Sequence, residues 1–284
     1  MLSKLMKYEW RGMRTPLLIM LCVLAGTTLL TCGIILTIRP QFDDVLVGFS
    51  IITTMFSFLL YYFGLIGCII GITVIIAVRF YRTCYTDQGY LTHTLPVSAV
   101  QLLVAKTIIA VLSYLLVLAG VAATLVIIIF VATSHFLNIG DFGYTVRYAL
   151  SQIFSGMNEV MLDTWGMSMG GYMLWALLMG MVECVAGIFK LFGCISLGQL
   201  YAKHRILGAI LAYFALNVVQ NTIAYISILP TFAHLVTAAE YGNELTMMSA
   251  FGPSAVFTLI TSVVLAVVMY FVNLHMMTKR LNLE

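Results

Sequence analysis

Residues 45–106 read VLVGFSIITTMFSFLLYYFGLIGCIIGITVIIAVRFYRTCYTDQGYLTHTLPVSAVQLLVAK. The first 34 of them, Val45–Val78, carry no charge. As a helix they would measure about 51 Å, against a hydrocarbon layer of about 30 Å. Such a segment must tilt or project beyond the lipid. At Arg79 the character changes, and a more polar, basic connection of 28 residues runs to Lys106 before the next uncharged apolar run begins. Links between neighbouring helices usually hold roughly 2–8 residues. A connection of this length on the basic side of a membrane protein offers a soluble partner somewhere to dock.

Working outward, the same alternation fills the rest of the chain. It is 62% hydrophobic and 9% charged, with a mean hydropathy of +1.06, where soluble domains carry about 25% charged residues. Six apolar runs reach the roughly 20 residues needed to cross a bilayer. They are Leu17–Ile38, Phe49–Val78, Thr107–Thr133, Tyr172–Leu197, Ile206–Leu229 and Ser254–Met277. We read residues 1–284 as one all-α transmembrane domain. The net charge of +3 is too small to indicate nucleic-acid binding.

The basic residues set the orientation. Lys4, Lys7, Arg11, Arg14, Arg79, Arg82, Lys106, Lys203, Arg205, Lys279 and Arg280 fall on one side, 11 of the 14. Asp43, Asp44, Asp141, Glu159, Asp163, Glu240 and Glu244 collect on the other. Six spans with both termini cytoplasmic, in the cell membrane, satisfy every connection. The first 38 residues are not expected to be cleaved, because their apolar run is long for a signal peptide and no small-x-small site follows. The six cysteines lie in spans or on the basic side, so no outer disulfide framework is expected.

Local patterns add detail. Leu2, Met6, Trp10, Met13 and Leu17 form an apolar stripe beside a basic one, the pattern of an amphipathic helix lying at the inner membrane surface. Pro16 is then expected to let the chain turn into the first span. Gly64, Gly67 and Gly71 recur on nearly one face, and Gly67–Gly71 is a GxxxG pair, which permits close helix approach. Ser98 and Gln101 have the spacing of a capping box, so a helix is predicted to begin near Ala99 and to run on into the third span. Thr86–Thr94 has room for one short helix. A further amphipathic helix on the outer surface is predicted from Val146, Leu150, Ile153, Phe154, Met157, Val160 and Met161. The link 230–253 starts and ends at proline.

Little in the chain suggests catalysis. No lysine follows a glycine, so no GxxxxGK[ST] phosphate loop is present, and HExxH is absent. The five histidines have no metal-ligand spacing. We expect no enzymatic activity of the chain alone, and no cofactor. Glu183 is the one carboxylate deep in a span, a position that costs roughly 2.5–3.5 kcal/mol on insertion scales. It reads either as a polar point on a translocation path or as a packing residue. Lys190 lies two turns on, and its long side chain is expected to snorkel to the basic surface.

The basic N-terminal stretch MLSKLMKYEWRGMRTP, the Arg79-Phe-Tyr-Arg82 start, the DQGYL turn and the TLPVS approach to the third span together resemble the permease subunits of ABC-2 type ABC transporters, particularly those of Gram-positive bacteria. The resemblance implies an N-terminal interfacial helix and a cytoplasmic coupling helix around Thr86–Leu95, between the second and third spans. That helix would fit a cleft on a separate ATP-binding cassette subunit. It further implies a pair of permease subunits, identical or not, set among membrane lipids and working as an exporter. The ATPase-docking residues would be Arg79, Arg82, Tyr85, Asp87, Gly89, Tyr90, Leu91 and Pro96. Tyr85, Tyr90 and Leu91 suit apolar anchors, with Arg79 and Arg82 at the rim. Family members often carry Glu before the turn glycine where this chain has Gln88, so no salt bridge is implied there. Two other readings compete: an ion-gradient transporter using Glu183, and a membrane scaffold or immunity protein that moves nothing.

Overall fold

A computed structural model describes residues 2–37, 44–86, 88–89, 98–136, 142–201, 204–241 and 247–279. Long helices dominate the described residues: α1 (Leu2–Thr37), α2 (Asp44–Tyr85), α3 (Ala99–Phe136), α4 (Phe142–Trp165), α5 (Met169–Gly198), α6 (Arg205–Tyr241) and α7 (Met247–Lys279). No strand occurs among the described residues. All of these except α4 contain a stretch long and apolar enough to cross a membrane, six in total. The chain is a multi-pass, all-helical membrane protein.

Three helices overrun their expected ends. α1 continues through Pro16, so the expected turn between an interfacial helix and the first span is replaced by one helix. A proline inside a helix removes one hydrogen bond, to the carbonyl four residues back. Buried Met13 and Leu17 on either side of Pro16 hold the helix through that gap. α6 and α7 likewise continue past Pro230 and Pro253, which shortens the link read from the sequence as 230–253. There Thr231 Oγ1 donates to the Ala250 carbonyl at 3.1 Å, and both residues are buried. This contact ties the two proline-containing ends together. The helix expected from Val146–Met161 forms as α4.

The chain divides into two compact units, Met1–Val78 with Ile108–Gln152 and Arg79–Thr107 with Ile153–Glu284. In the first, α1 and α2 run antiparallel in tight register. A Cβ on Gly64 would sit 3.1 Å from Thr27 Cγ2, and one on Gly71 would collide with the Met20 thioether. The glycines that permit close approach are therefore Gly64 and Gly71, seven residues apart. Gly67, the expected member of the GxxxG pair, has open space at its Cβ position. Two turns of helix return a residue to the same face, and that period selects Gly64 rather than Gly67. Tyr61 meets Thr124 at 2.8 Å and belongs to a buried cluster with Cys32, Ile35 and Ile128.

In the second unit α5, α6 and α7 pack against one another. Ser168 caps α5 by accepting the Gly171 N–H at 3.3 Å. Gly166 just before it adopts φ 70°, a left-handed conformation that glycine reaches without strain. At the other end of α5 a Cβ on Gly198 would lie 2.6 Å from the Ala209 nitrogen. Only a glycine lets α6 turn back so closely.

Candidate functional site: the braced ends of the second and third spans

The 79–106 connection leaves α2 and joins α3 through helix ends that are buried. The capping box forms as read: Gln101 N–H donates to Ser98 Oγ at 3.3 Å, and Ser98 N–H donates to Gln101 Oε1 at 3.4 Å. Behind it Leu102, Leu103 and Ala105 are buried. Lys106, counted above among the basic residues of the cytoplasmic side, is also buried, and its Nζ donates to Thr83 Oγ1 at 2.6 Å. Thr83 in turn donates to the Arg79 carbonyl at 2.8 Å. The first turns of α3 are thus tied to the last turns of α2.

The end of α2 is fixed in turn to the α5–α7 bundle. Phe80 stacks on Phe192 of α5, centroids 3.9 Å apart and planes within 9°. Tyr85 OH meets Ser196 Oγ at 2.7 Å, Ser196 donates to Asn273 Oδ1 at 2.6 Å, and Asn273 Nδ2 donates to the Met269 carbonyl at 2.9 Å. Ser196 has one hydroxyl hydrogen, given to Asn273, so Tyr85 must be the donor to Ser196. The chain runs one way across α2, α5 and α7. Tyr85 is 1% exposed and Ser196 and Asn273 are 0% exposed. In a low-dielectric interior, a buried network with its hydrogen bonds made specifies one arrangement of the helices that share it.

The expected docking residues separate. Arg82 is exposed and Arg79 half-buried, as rim positions would be. Tyr85 is a correction: its ring is buried and its hydroxyl is held by Ser196, so it braces the interior and presents no anchor to a partner. The reason is its position at the last turn of α2, on the side that Phe80 already buries against α5; the two rings meet edge to face at 6.1 Å. Gly89 is buried, and its N–H donates to the Thr86 carbonyl at 2.6 Å. Asp87, Tyr90, Leu91 and Pro96, and with them most of the expected coupling helix, lie outside the described residues.

A second polar network lies within the bundle. Lys190 does not snorkel. Its Nζ donates to Asn217 Oδ1 at 2.9 Å and to Gln220 Oε1 at 2.7 Å, both on α6. The Tyr213 ring lies 5.7 Å away, at the distance of a cation–π contact. Gln220 Nε2 then donates to Ser262 Oγ of α7 at 2.6 Å. Two amide carbonyls three residues apart sit on one helix face, and they meet the ammonium without a long reach to the surface. Glu183 is half-buried and lines, with Lys190, Gln220 and Ser262, a cavity of about 10 Å³. That is room for about one water.

Sequence reading passed over Ser196, Asn217, Gln220 and Asn273. The available signal was the set of amides inside otherwise apolar spans, each of which must find a partner in lipid. It also passed over Gly166-Met-Ser168-Met-Gly170, which has the spacing of a nucleophile elbow. That motif needs a strand-to-helix turn. Here it joins two helices, and Ser168 spends its oxygen capping α5. Among the described residues no group of His, Cys, Asp or Glu is placed to hold a metal ion. Comparison with family models, with curated proteins and with solved structures gave no match.

Proposed function

We propose that this chain is the membrane-spanning subunit of an ATP-driven exporter, coupled through residues 79–98 to a separate ATP-binding cassette subunit. One observation carries the reading. The two helix ends flanking the basic connection share a compact unit with α5–α7; the α2 end is joined to the bundle by the Tyr85–Ser196–Asn273 chain and the Phe80–Phe192 stack, and the α3 end is tied to α2 by Lys106 and Thr83. A load applied to the connection therefore reaches three helices through buried contacts. A tether with no mechanical task needs no such brace. The basic bias of the termini and of this connection supports a cytoplasmic placement in the cell membrane. The chain has no phosphate loop of its own, so ATP chemistry falls to the partner. A second permease subunit completes the assembly in this reading.

Affinity purification from the native membrane tests it. The wild-type chain should bring down a stoichiometric subunit that carries GxxxxGK[ST] and hydrolyses ATP. Tyr90→Ala and Leu91→Asp should lose that subunit while inserting normally. Full retention of the subunit in both variants counts against residues 79–98 as the docking segment.

The Lys190 network favours a second reading, ion-gradient transport through Glu183. Here Glu183 and Lys190 line one small cavity, but Lys190 is engaged by two neutral amides. Glu183→Gln separates the two: it should abolish flux in gradient-driven transport and leave ATP-driven flux largely intact.

A further inference from the structure

At the ends of α6 and α7 far from Arg205 and Lys279, the two helices flank an open, groove-like cavity of about 570 Å³. That lies within the roughly 300–1,000 Å³ of small-molecule sites. We infer that this cavity binds a small amphipathic cation, an alkylammonium with its chain among the apolar side chains and its head among oxygen acceptors.

The lining sets the class. Ile223, Ile226 and Phe257 supply apolar wall, and Ser227, Thr231 and Ser254 supply hydroxyls. Those three hydroxyls have already given their hydrogens to backbone carbonyls: Ser227 to Ala224 at 2.7 Å, Thr231 to Ala250 at 3.1 Å and Ser254 to Phe251 at 2.8 Å. What they still offer a ligand is lone pairs. Pro230, four residues after Ile226, gives that carbonyl no helical N–H, which adds a further acceptor. Acceptors surplus to local needs, in an apolar wall, suit a ligand that brings its own donors.

Charge points the same way. No Lys or Arg occurs in 153–173, 226–241 or 247–257, the described segments at this end of the bundle, whereas Glu159, Asp163 and Glu240 do. A concave site in a region that carries acids and no Lys or Arg concentrates cations and repels anions. His234 is the one lining residue able to carry charge. A second cavity, of about 480 Å³ between α5 and α7, makes the contrast. Its walls include Val182, Val185, Phe189 and Val263 and offer almost nothing polar, so it has no means to select a head group.

The inference needs neither ATP nor a partner subunit, so its outcome is independent of the exporter reading. Equilibrium binding of radiolabelled dodecylamine, dodecanol and dodecanoate to the full chain in lipid nanodiscs at neutral pH, with empty nanodiscs as the blank, tests it. Dodecylamine should bind saturably and about tenfold or more tighter than dodecanoate, with dodecanol between. Ile226→Trp and Ser227→Phe, which fill the cavity, should each weaken dodecylamine by about tenfold. Leu211→Trp, on exposed α6 surface away from the cavity, should not. Equal binding of amine and acid would mean a groove that takes any acyl chain and would overturn the inference. So would amine binding that the filling variants leave unchanged. The amine–acid comparison uses the wild-type chain alone and stands even if a variant fails to fold.

Discussion

Two polar networks hold α5 to its neighbours, and they are built on opposite terms. At the base, Tyr85, Ser196 and Asn273 are neutral, wholly buried and arranged so that each donor meets an acceptor. Further along α5, Lys190 brings an ammonium group against two amides, with Glu183 beside a cavity large enough for about one water. A neutral chain with no spare valence resists rearrangement, because any helix shift leaves a polar group unpaired in low dielectric. A charged group in contact with exchangeable amide partners can repack. The difference teaches where the bundle is rigid, at the ends that flank the basic connection, and where it retains chemical freedom.

The comparison can be broken at several points. Ser196→Ala removes two of the three bonds of the base chain and strands the Tyr85 hydroxyl and the Asn273 Oδ1. It should destabilise the protein by about 1–3 kcal/mol, read as a drop in thermal midpoint in lipid. Lys190→Met leaves two amide carbonyls without their donor. At about 0.6 kcal/mol for a typical interhelical hydrogen bond in a membrane, it should cost about 1 kcal/mol. A loss larger than that of Ser196→Ala would reverse the ranking of the two networks. Tyr85→Phe takes away only the first donor and keeps Ser196 donating to Asn273, so it should be milder than Ser196→Ala, about 0.5–1.5 kcal/mol. Equal losses would contradict the one-way polarity of the chain. Glu183→Gln keeps shape and removes charge, and its midpoint should stay within about 0.5 kcal/mol of wild type.

How far the sequence could be read follows from the physics of each signal. Apolar length is a local signal, and it yielded the six spans. The capping box at Ser98 and Gln101 needs only three residues of context, and it formed as read. Proline was misleading: Pro16, Pro230 and Pro253 all lie inside helices, because burial of neighbouring side chains outweighs one lost bond. The brace was not legible, since Tyr85 and Asn273 stand 188 positions apart in the sequence and no local pattern pairs them. Tyr85 reads equally as a surface anchor or an interior one until α5 is placed beside it. Lys190 misled for a similar reason: snorkelling is the default of an isolated helix, and Asn217 and Gln220 become an alternative only once α6 turns back at Gly198.

The central claim is that force on the 79–106 connection passes through the Tyr85–Ser196–Asn273 chain into α5 and α7. Hydrogen exchange of the chain purified together with the ATP-binding subunit proposed above, with and without ATP, tests this most directly. The account predicts ATP-dependent changes in residues 79–107 and also in the amides around Ser196 and Asn273. In Ser196→Ala the change should be confined to 79–107. An ATP response that stops at the connection in the wild-type complex, or that reaches α5 and α7 undiminished in Ser196→Ala, would contradict it.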